Sequence, residues 1–239
     1  ESIEVGRPMK KTPIYNKLKE SGAIYLDSYG WEKPCWFAKN EIKENYSFKR
    51  TNAFTYVQKE CENVQNNVGI LDLSTFAKYE IKGKDSESYL DRLCANSIPK
   101  KEGNIILAHT LNKIGRIQSE LTITRLPNDK FYVLSSTASE IRDLDWFNQN
   151  KRDNEKVVIK NVSLEKGVLG VIGPKSRNVL TKITNTDLSN ENFPWLKSKE
   201  IKINDIEVLA LRVNYAGELG WELHMPMDKM SEVYDLLFK

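Results

Sequence analysis

The sequence predicts an α+β fold in two lobes, with antiparallel sheets and helices laid against them, and three observations lead there. Strand-patterned segments at 105–110, 117–125 and 131–135 follow one another across short turn signals and read as a meander. Helix-patterned segments stand on either side of that meander. A second set of strands and helices then runs from Val157 to the end of the chain.

Taken in order, residues 1–45 are rich in proline, glycine and aromatics (Pro8, Pro13, Gly30, Trp31, Pro34, Trp36, Phe37), with only 14–19 patterned as a helix. They read as a wrapping arm. Over 52–68 the apolar positions Phe54, Val57, Cys61, Val64 and Val68 recur at helical spacing, and Gly69 stands where such a helix stops. Residues 70–73 and 77–81 read as strands around a polar turn at Ser74 and Thr75. Asp85 and Ser86 then open a helix that carries Tyr89, Leu90, Leu93 and Cys94 on one face. The meander's turns fall at 112–115 and 127–129, and a helix over 139–148 closes the group. In the second set, strand 168–172 meets helix 175–183 across Gly173 and Pro174, the proline suiting a first helical turn. Strands at 201–203, 207–215 and 221–225 precede a last amphipathic helix over 230–238.

Composition excludes several classes. At 40% hydrophobic and 29% charged residues the chain resembles an ordinary soluble globular protein, and no stretch reaches the apolar length of a membrane helix. The net charge of +3 comes from interspersed charges, so no basic stripe points to nucleic acid, although a mild basic excess suits an anionic ligand. Cys35, Cys61 and Cys94 lack C-x-x-C spacing, and only His109 and His224 could complete a metal site, so neither a disulfide framework nor a metal is expected. Free thiols in a reducing, cytoplasmic compartment are the expectation. Both ends of the chain read as cuts, because Glu1 is not a methionine and Lys239 falls inside the final amphipathic run.

Two segments carry chemistry. In Arg212-Val213-Asn214-Tyr215-Ala216-Gly217-Glu218-Leu219-Gly220-Trp221-Glu222 a strand breaks at a glycine-flanked turn and resumes, leaving Glu218 on a tight loop. A carboxylate held there could accept two parallel hydrogen bonds from a ring bearing an amino group beside an N–H. On spacing alone, a solvated glutamate on a plain hairpin is the commoner meaning of G-E-x-G. In the second segment, 112–123, Ile117, Ser119, Leu121 and Ile123 alternate with Gln118, Glu120 and Thr122, which puts Glu120 on the polar face of a strand. Bordering a cleft, Glu120 could orient or exchange a proton with a reacting amine; bordering water, it is an ordinary acid, and the pattern alone favours water. His109 and His224 read as structural or surface histidines. Gly170-Val171-Ile172-Gly173-Pro174 lacks the spacing and the lysine of a nucleotide cradle.

These segments, in this order, resemble the aminomethyltransferase (glycine-cleavage T-protein) superfamily over residues 46–239. Gly69-Ile70-Leu71-Asp72-Leu73-Ser74 is similar to its G-x-x-D-x-S element, 115–123 to its strand with the catalytic acid, 169–174 to its Q-G-P region, and Tyr215-Ala216-Gly217-Glu218-Leu219-Gly220 to its Y-T-G-E-x-G. The resemblance is closer to the branch fused behind a flavin domain, the dimethylglycine and sarcosine dehydrogenases. Gly6-Arg7-Pro8, Thr12-Pro13-Ile14-Tyr15, Gly30-Trp31-Glu32-Lys33-Pro34, Trp36-Phe37, Leu73-Ser74-Thr75-Phe76-Ala77-Lys78 and Cys94-Ala95-Asn96 carry it.

The resemblance implies a tetrahydrofolate cofactor, with Glu120 as the catalytic acid, Glu218 as the pterin-edge acceptor, and Tyr215, Leu107, Ser135 and Ser136 in the folate pocket. It implies an N-methyl amine substrate, and FAD bound by an N-terminal half outside this chain. It also implies a linker arm over 1–45, a discontinuous first lobe over 46–72 and 157–239, and a second lobe over 73–156. A third lobe would complete a ring around folate. The expected reaction captures carbon from oxidative demethylation as methylenetetrahydrofolate. Its rivals are a free aminomethyltransferase fed by a lipoyl arm and a non-catalytic folate-binding regulatory module. Three departures bear on pocket detail: Glu120 stands where the T-protein has Asp, Asn214 where glycine is common, and Ser136 where asparagine is frequent.

Overall fold

A computed structural model describes residues 5–39 and 42–238. In chain order the elements are α1 (Tyr15–Glu20), β1 (Ala23–Ser28), β2 (Trp31–Phe37), α2 (Phe54–Asn66), β3 (Gly69–Asp72), β4 (Ala77–Lys82), α3 (Ser86–Leu93), β5 (Ile105–Leu111), β6 (Ile117–Leu126), β7 (Lys130–Ser135), α4 (Glu140–Asn150), β8 (Val158–Asn161), β9 (Lys166–Ile172), α5 (Ser176–Leu180), β10 (Ser198–Ile203), β11 (Ile206–Leu211), β12 (Gly220–Pro226) and α6 (Met230–Leu236). Two five-stranded antiparallel sheets with packed helices form the α+β architecture, in strand orders β10-β11-β12-β9-β3 and β5-β6-β7-β4-β8. Among the described residues no helix is long and apolar enough to cross a membrane.

The meander β5-β6-β7 follows from its period-two pattern. In β6, Ser119, Leu121 and Ile123 are buried while Gln118, Glu120 and Thr122 are not. One face of this sheet, with Tyr79, Ile81, Leu121, Ile123, Phe131 and Val133, packs on Tyr89, Leu90 and Leu93 of α3 and Phe147 of α4. The tyrosines buried there keep their hydroxyls satisfied by donating to the Glu140 carbonyl (2.6 Å, Tyr79) and the Phe147 carbonyl (2.7 Å, Tyr89). On the opposite face, Ile105, Leu126, Tyr132 and Leu134 cluster with Val162 and with Leu211 of β11, which is where the two sheets meet. The first sheet buries Leu169, Val171, Trp221 and Leu223 with Met230 and Val233 of α6.

The segment between β3 and β4 ties the lobes together through polar groups. The Val168 N–H donates to Ser74 Oγ (2.9 Å), and Lys78, fully buried, donates from Nζ to the Ser74 and Phe76 carbonyls (2.6 and 2.8 Å). Burial lowers the Lys78 ammonium to about 8, against the opposing pull of Asp72 and Glu140.

Several expectations are corrected. The arm expected over 1–45 is a folded hairpin over its described residues: β1 pairs with β2, Trp31 and Trp36 are buried, and Ile14 and Leu18 join the first sheet's core. Residues 1–4, 40 and 41 of that range lie outside the described residues. Pro34 is accommodated because β2 belongs to a two-stranded ribbon with a register shift at Ile24 and Tyr25. β8 pairs with β4, so the second sheet runs through Asn161, past the boundary expected at 156. The helix expected over 175–183 is regular only in α5, and the strand expected over 207–215 leaves the sheet after Leu211.

Candidate functional site

The sheet junction leaves one part of the second sheet's inner face uncovered. Along β5 the residues Ile105, Leu107 and His109 share that face; Ile105 is buried against Leu211, whereas Leu107 is 50% exposed. His109 pairs directly with Glu120 across the hairpin, and Leu107 with Thr122. His109 Nε2 lies 3.1 Å from Glu120 Oε2, with both side chains partly open to solvent. Glu120 therefore does face the open side of its sheet, and it has a partner that the sequence reading assigned to structure or surface.

A one-residue irregularity between Thr110 and Leu111 creates this pairing, because Leu111 pairs with Ile117 while Thr110 pairs with Ser119. An uninterrupted register would set His109 opposite Ser119, whose side chain faces the core and donates to buried Asp143 Oδ1 at 2.5 Å. The free edge of β5 is itself held. Ala95 N–H donates to the His109 carbonyl (2.8 Å), and Asn96 Nδ2 donates to the Leu107 carbonyl (2.5 Å).

The other half of the site is the loop between β11 and β12. Leu196 links it to β5: its carbonyl accepts from Ile105 N–H (3.0 Å) and its N–H donates to the Arg212 carbonyl (3.1 Å). The Arg212 guanidinium donates to the Phe193 carbonyl (2.5 Å) and to Asn190 Oδ1 (2.7 Å), and lies over the Trp221 ring. Asn214 closes the loop from inside. Its Nδ2 donates to the Glu218 carbonyl (2.5 Å), and its Oδ1 accepts from Ala216 N–H (2.8 Å). Gly217, at φ +94°, makes the turn between them. At the far end Leu219 O accepts from Gly173 N–H (2.8 Å) and Ser176 Oγ (3.2 Å). On this anchored loop Tyr215 is fully exposed, and Glu218 Oε2 is buried with no hydrogen-bond partner among the described residues. An acceptor removed from water and left unpaired costs free energy unless a ligand or water supplies the donor.

The structure thus places Leu107, His109 and Glu120 together on one open face, and Tyr215 and Glu218 on a loop whose first residues pack beside Ile105 of that strand. Ser136 is exposed just beyond β7 and caps the turn at 137–139, its Oγ accepting from Ala138 N–H (3.3 Å). Ser135 stands apart: it pairs with Ala77, is 5% exposed, and shares the parity of Phe131 and Val133, which face α3 and α4, so its side chain is on the opposite side of the sheet from Leu107 and Glu120. His224 is buried between Tyr132 OH (3.1 Å from Nδ1) and Glu222 Oε2 (3.2 Å from Nε2), and burial holds it below the usual histidine range against the pull of Glu222. Among the described residues no three His, Cys, Asp or Glu side chains converge as metal ligands. A surface hollow lined by Lys182, Thr184, Glu200, Lys202 and Glu207 contains none of the expected site residues.

The profile of the GCVT N-terminal domain matches residues 14–239. Mitochondrial dimethylglycine dehydrogenase of Rattus norvegicus is 42% identical over 233 residues, covering 96% of this chain and 27% of that protein. The aminomethyltransferase of Thermoanaerobacter sp. (strain X514) is 30% identical over 228 residues, 95% of this chain and 57% of its own length. The chain thus spans about a quarter of the dehydrogenase relative's length. In three dimensions it is similar to the glycine cleavage system aminomethyltransferase T from Bartonella henselae, with a TM-score of 0.78 at 18% identity, covering 96% of this chain and 57% of that one. A profile match over nearly the whole chain, on a two-sheet fold shared with an aminomethyltransferase, makes this chain a member of the GCVT N-terminal domain family, related to the dimethylglycine and sarcosine dehydrogenase-like enzymes.

Proposed function

We propose that the chain is the folate-binding, one-carbon-accepting module of an oxidative N-demethylase acting on an amine of the dimethylglycine or sarcosine type. Family membership supports folate-linked one-carbon chemistry, and the observation that carries the finer reading is the buried Glu218 Oε2, unpartnered among the described residues, on a loop stapled by Asn214. A pterin presents an amino group beside a ring N–H, a donor pair that matches the two oxygens of a carboxylate, Oε2 among them. Leu107, half exposed beside His109, offers apolar surface to the rest of the ligand.

Reduced folate, when bound, supplies the nitrogen that takes up the one-carbon unit. Glu218 orients the ring by accepting its donor edge, while Glu120, on the neighbouring open face, receives the proton released as that nitrogen reacts. Holding both partners in one site gives proximity and keeps the carbon from loss to water as formaldehyde. FAD and the amine-oxidising step belong, in this reading, to a flavin domain outside these residues. The experiment uses the full-length enzyme turning over its amine with and without tetrahydrofolate. Saturating tetrahydrofolate should replace released formaldehyde by methylenetetrahydrofolate mole for mole. Formaldehyde release unaltered by tetrahydrofolate would refute the proposal.

A further inference from the structure

We infer that His109 is a positioning residue for Glu120, holding that carboxylate in the orientation in which it takes up the proton; this rests on the role proposed for Glu120 above. A glutamate on an exposed strand face turns about three side-chain bonds and spends little time in any one arrangement. Here one oxygen is tethered, because His109 Nε2 is 3.1 Å from Glu120 Oε2. With the proton on Nε2 the imidazole donates to that oxygen, and Oε1 remains free to accept. The tether is short because the two residues are direct cross-strand partners.

Two independent features hold the histidine in place. The register shift at Thr110 and Leu111 brings His109 onto the face that carries Glu120. The segment Cys94-Ala95-Asn96 then clamps the edge of β5 on both sides of His109, through Cys94 pairing with Thr110, Ala95 N–H bonding the His109 carbonyl, and Asn96 Nδ2 bonding the Leu107 carbonyl. An imidazole and a carboxylate as open to solvent as these add little to stability, so the effect of this pair lies in geometry. It also supports the longer acid at position 120, since a glutamate reaches further from its strand than an aspartate and has one more torsion to hold.

The test measures the ratio of formaldehyde to methylenetetrahydrofolate per amine oxidised, at saturating tetrahydrofolate in the full-length enzyme. His109→Ala should raise that ratio about three- to tenfold, a part of what a general acid–base group contributes in full. His109→Gln, whose amide can donate from nearly the Nε2 position, should restore much of the wild-type ratio. In the double variant His109→Ala/Glu120→Gln, the ratio should equal that of Glu120→Gln alone, because a tether has no effect once its carboxylate is gone. A His109→Ala ratio equal to wild type, or a double variant worse than Glu120→Gln alone, would overturn the inference and leave the proposed function standing. A wild-type enzyme that captures no carbon on tetrahydrofolate would overturn both. Calorimetric folate affinity of His109→Ala should match wild type; a parallel loss would assign His109 to ligand binding instead and overturn the positioning role.

Discussion

Glu218→Gln keeps the shape of a side chain while replacing one acceptor oxygen by a donating amide. Bound to a pterin edge, Glu218 accepts two charge-assisted hydrogen bonds; the glutamine keeps one as a neutral bond and sets an N–H against an N–H. The loss is about 1.5–3 kcal/mol, a factor of about 10–150 in Kd. The free protein should behave differently. Among the described residues Glu218 Oε2 has no partner, so the substitution breaks no hydrogen bond at that oxygen there, and the loop remains held by Asn214 and by Leu219 O. Stability should therefore stay within about 0.5 kcal/mol of wild type. Tetrahydrofolate calorimetry on the full-length enzyme and a thermal scan of the same samples measure both quantities. Affinity unchanged within about twofold, on the scale of additivity error, would refute the acceptor role. So would lost affinity accompanied by a Tm fall beyond about 4 °C, which would mean that Glu218 supports the fold.

Three further outcomes are expected. Glu120→Gln should divert carbon from methylenetetrahydrofolate to formaldehyde, since a glutamine can hydrogen-bond but cannot take up a proton; an unchanged product ratio removes Glu120 from the chemistry. Lys78→Met orphans the Ser74 and Phe76 carbonyls and should cost roughly 1–3 kcal/mol in urea unfolding. The folded Lys78 titrates at about 8 and the unfolded one at 10.5, so between those values only the unfolded chain keeps the proton, wild-type stability rises with pH, and the gap to Lys78→Met should widen from pH 8 toward 10.5. Trp221→Ala removes a fully buried ring between Phe193 and two guanidiniums and should cost about 3–5 kcal/mol by denaturant titration.

By itself the sequence determined whatever depends on local period and on ordered motifs. The meander and its polar face were legible because alternation in 117–125 reports which residues a sheet buries, and Gly217 with Gly220 announced a tight turn carrying Glu218. The family resemblance was likewise carried by short motifs in order. Tertiary structure decided what local pattern does not encode. β1, β2 and β8 escaped detection because prolines, aromatics and short length blur alternation, and their partners alone make them strands. The meeting of His109 and Glu120 depends on a one-residue register shift, and a register is a property of two strands together. Ser135 and Ser136 are neighbours in sequence, yet the pleat sends Ser135 toward the helices and leaves Ser136 exposed. Glu218 offers an unpaired acceptor because the fold shields one carboxylate oxygen from water without supplying a donor among the described residues, an imbalance that exists only once the chain is folded.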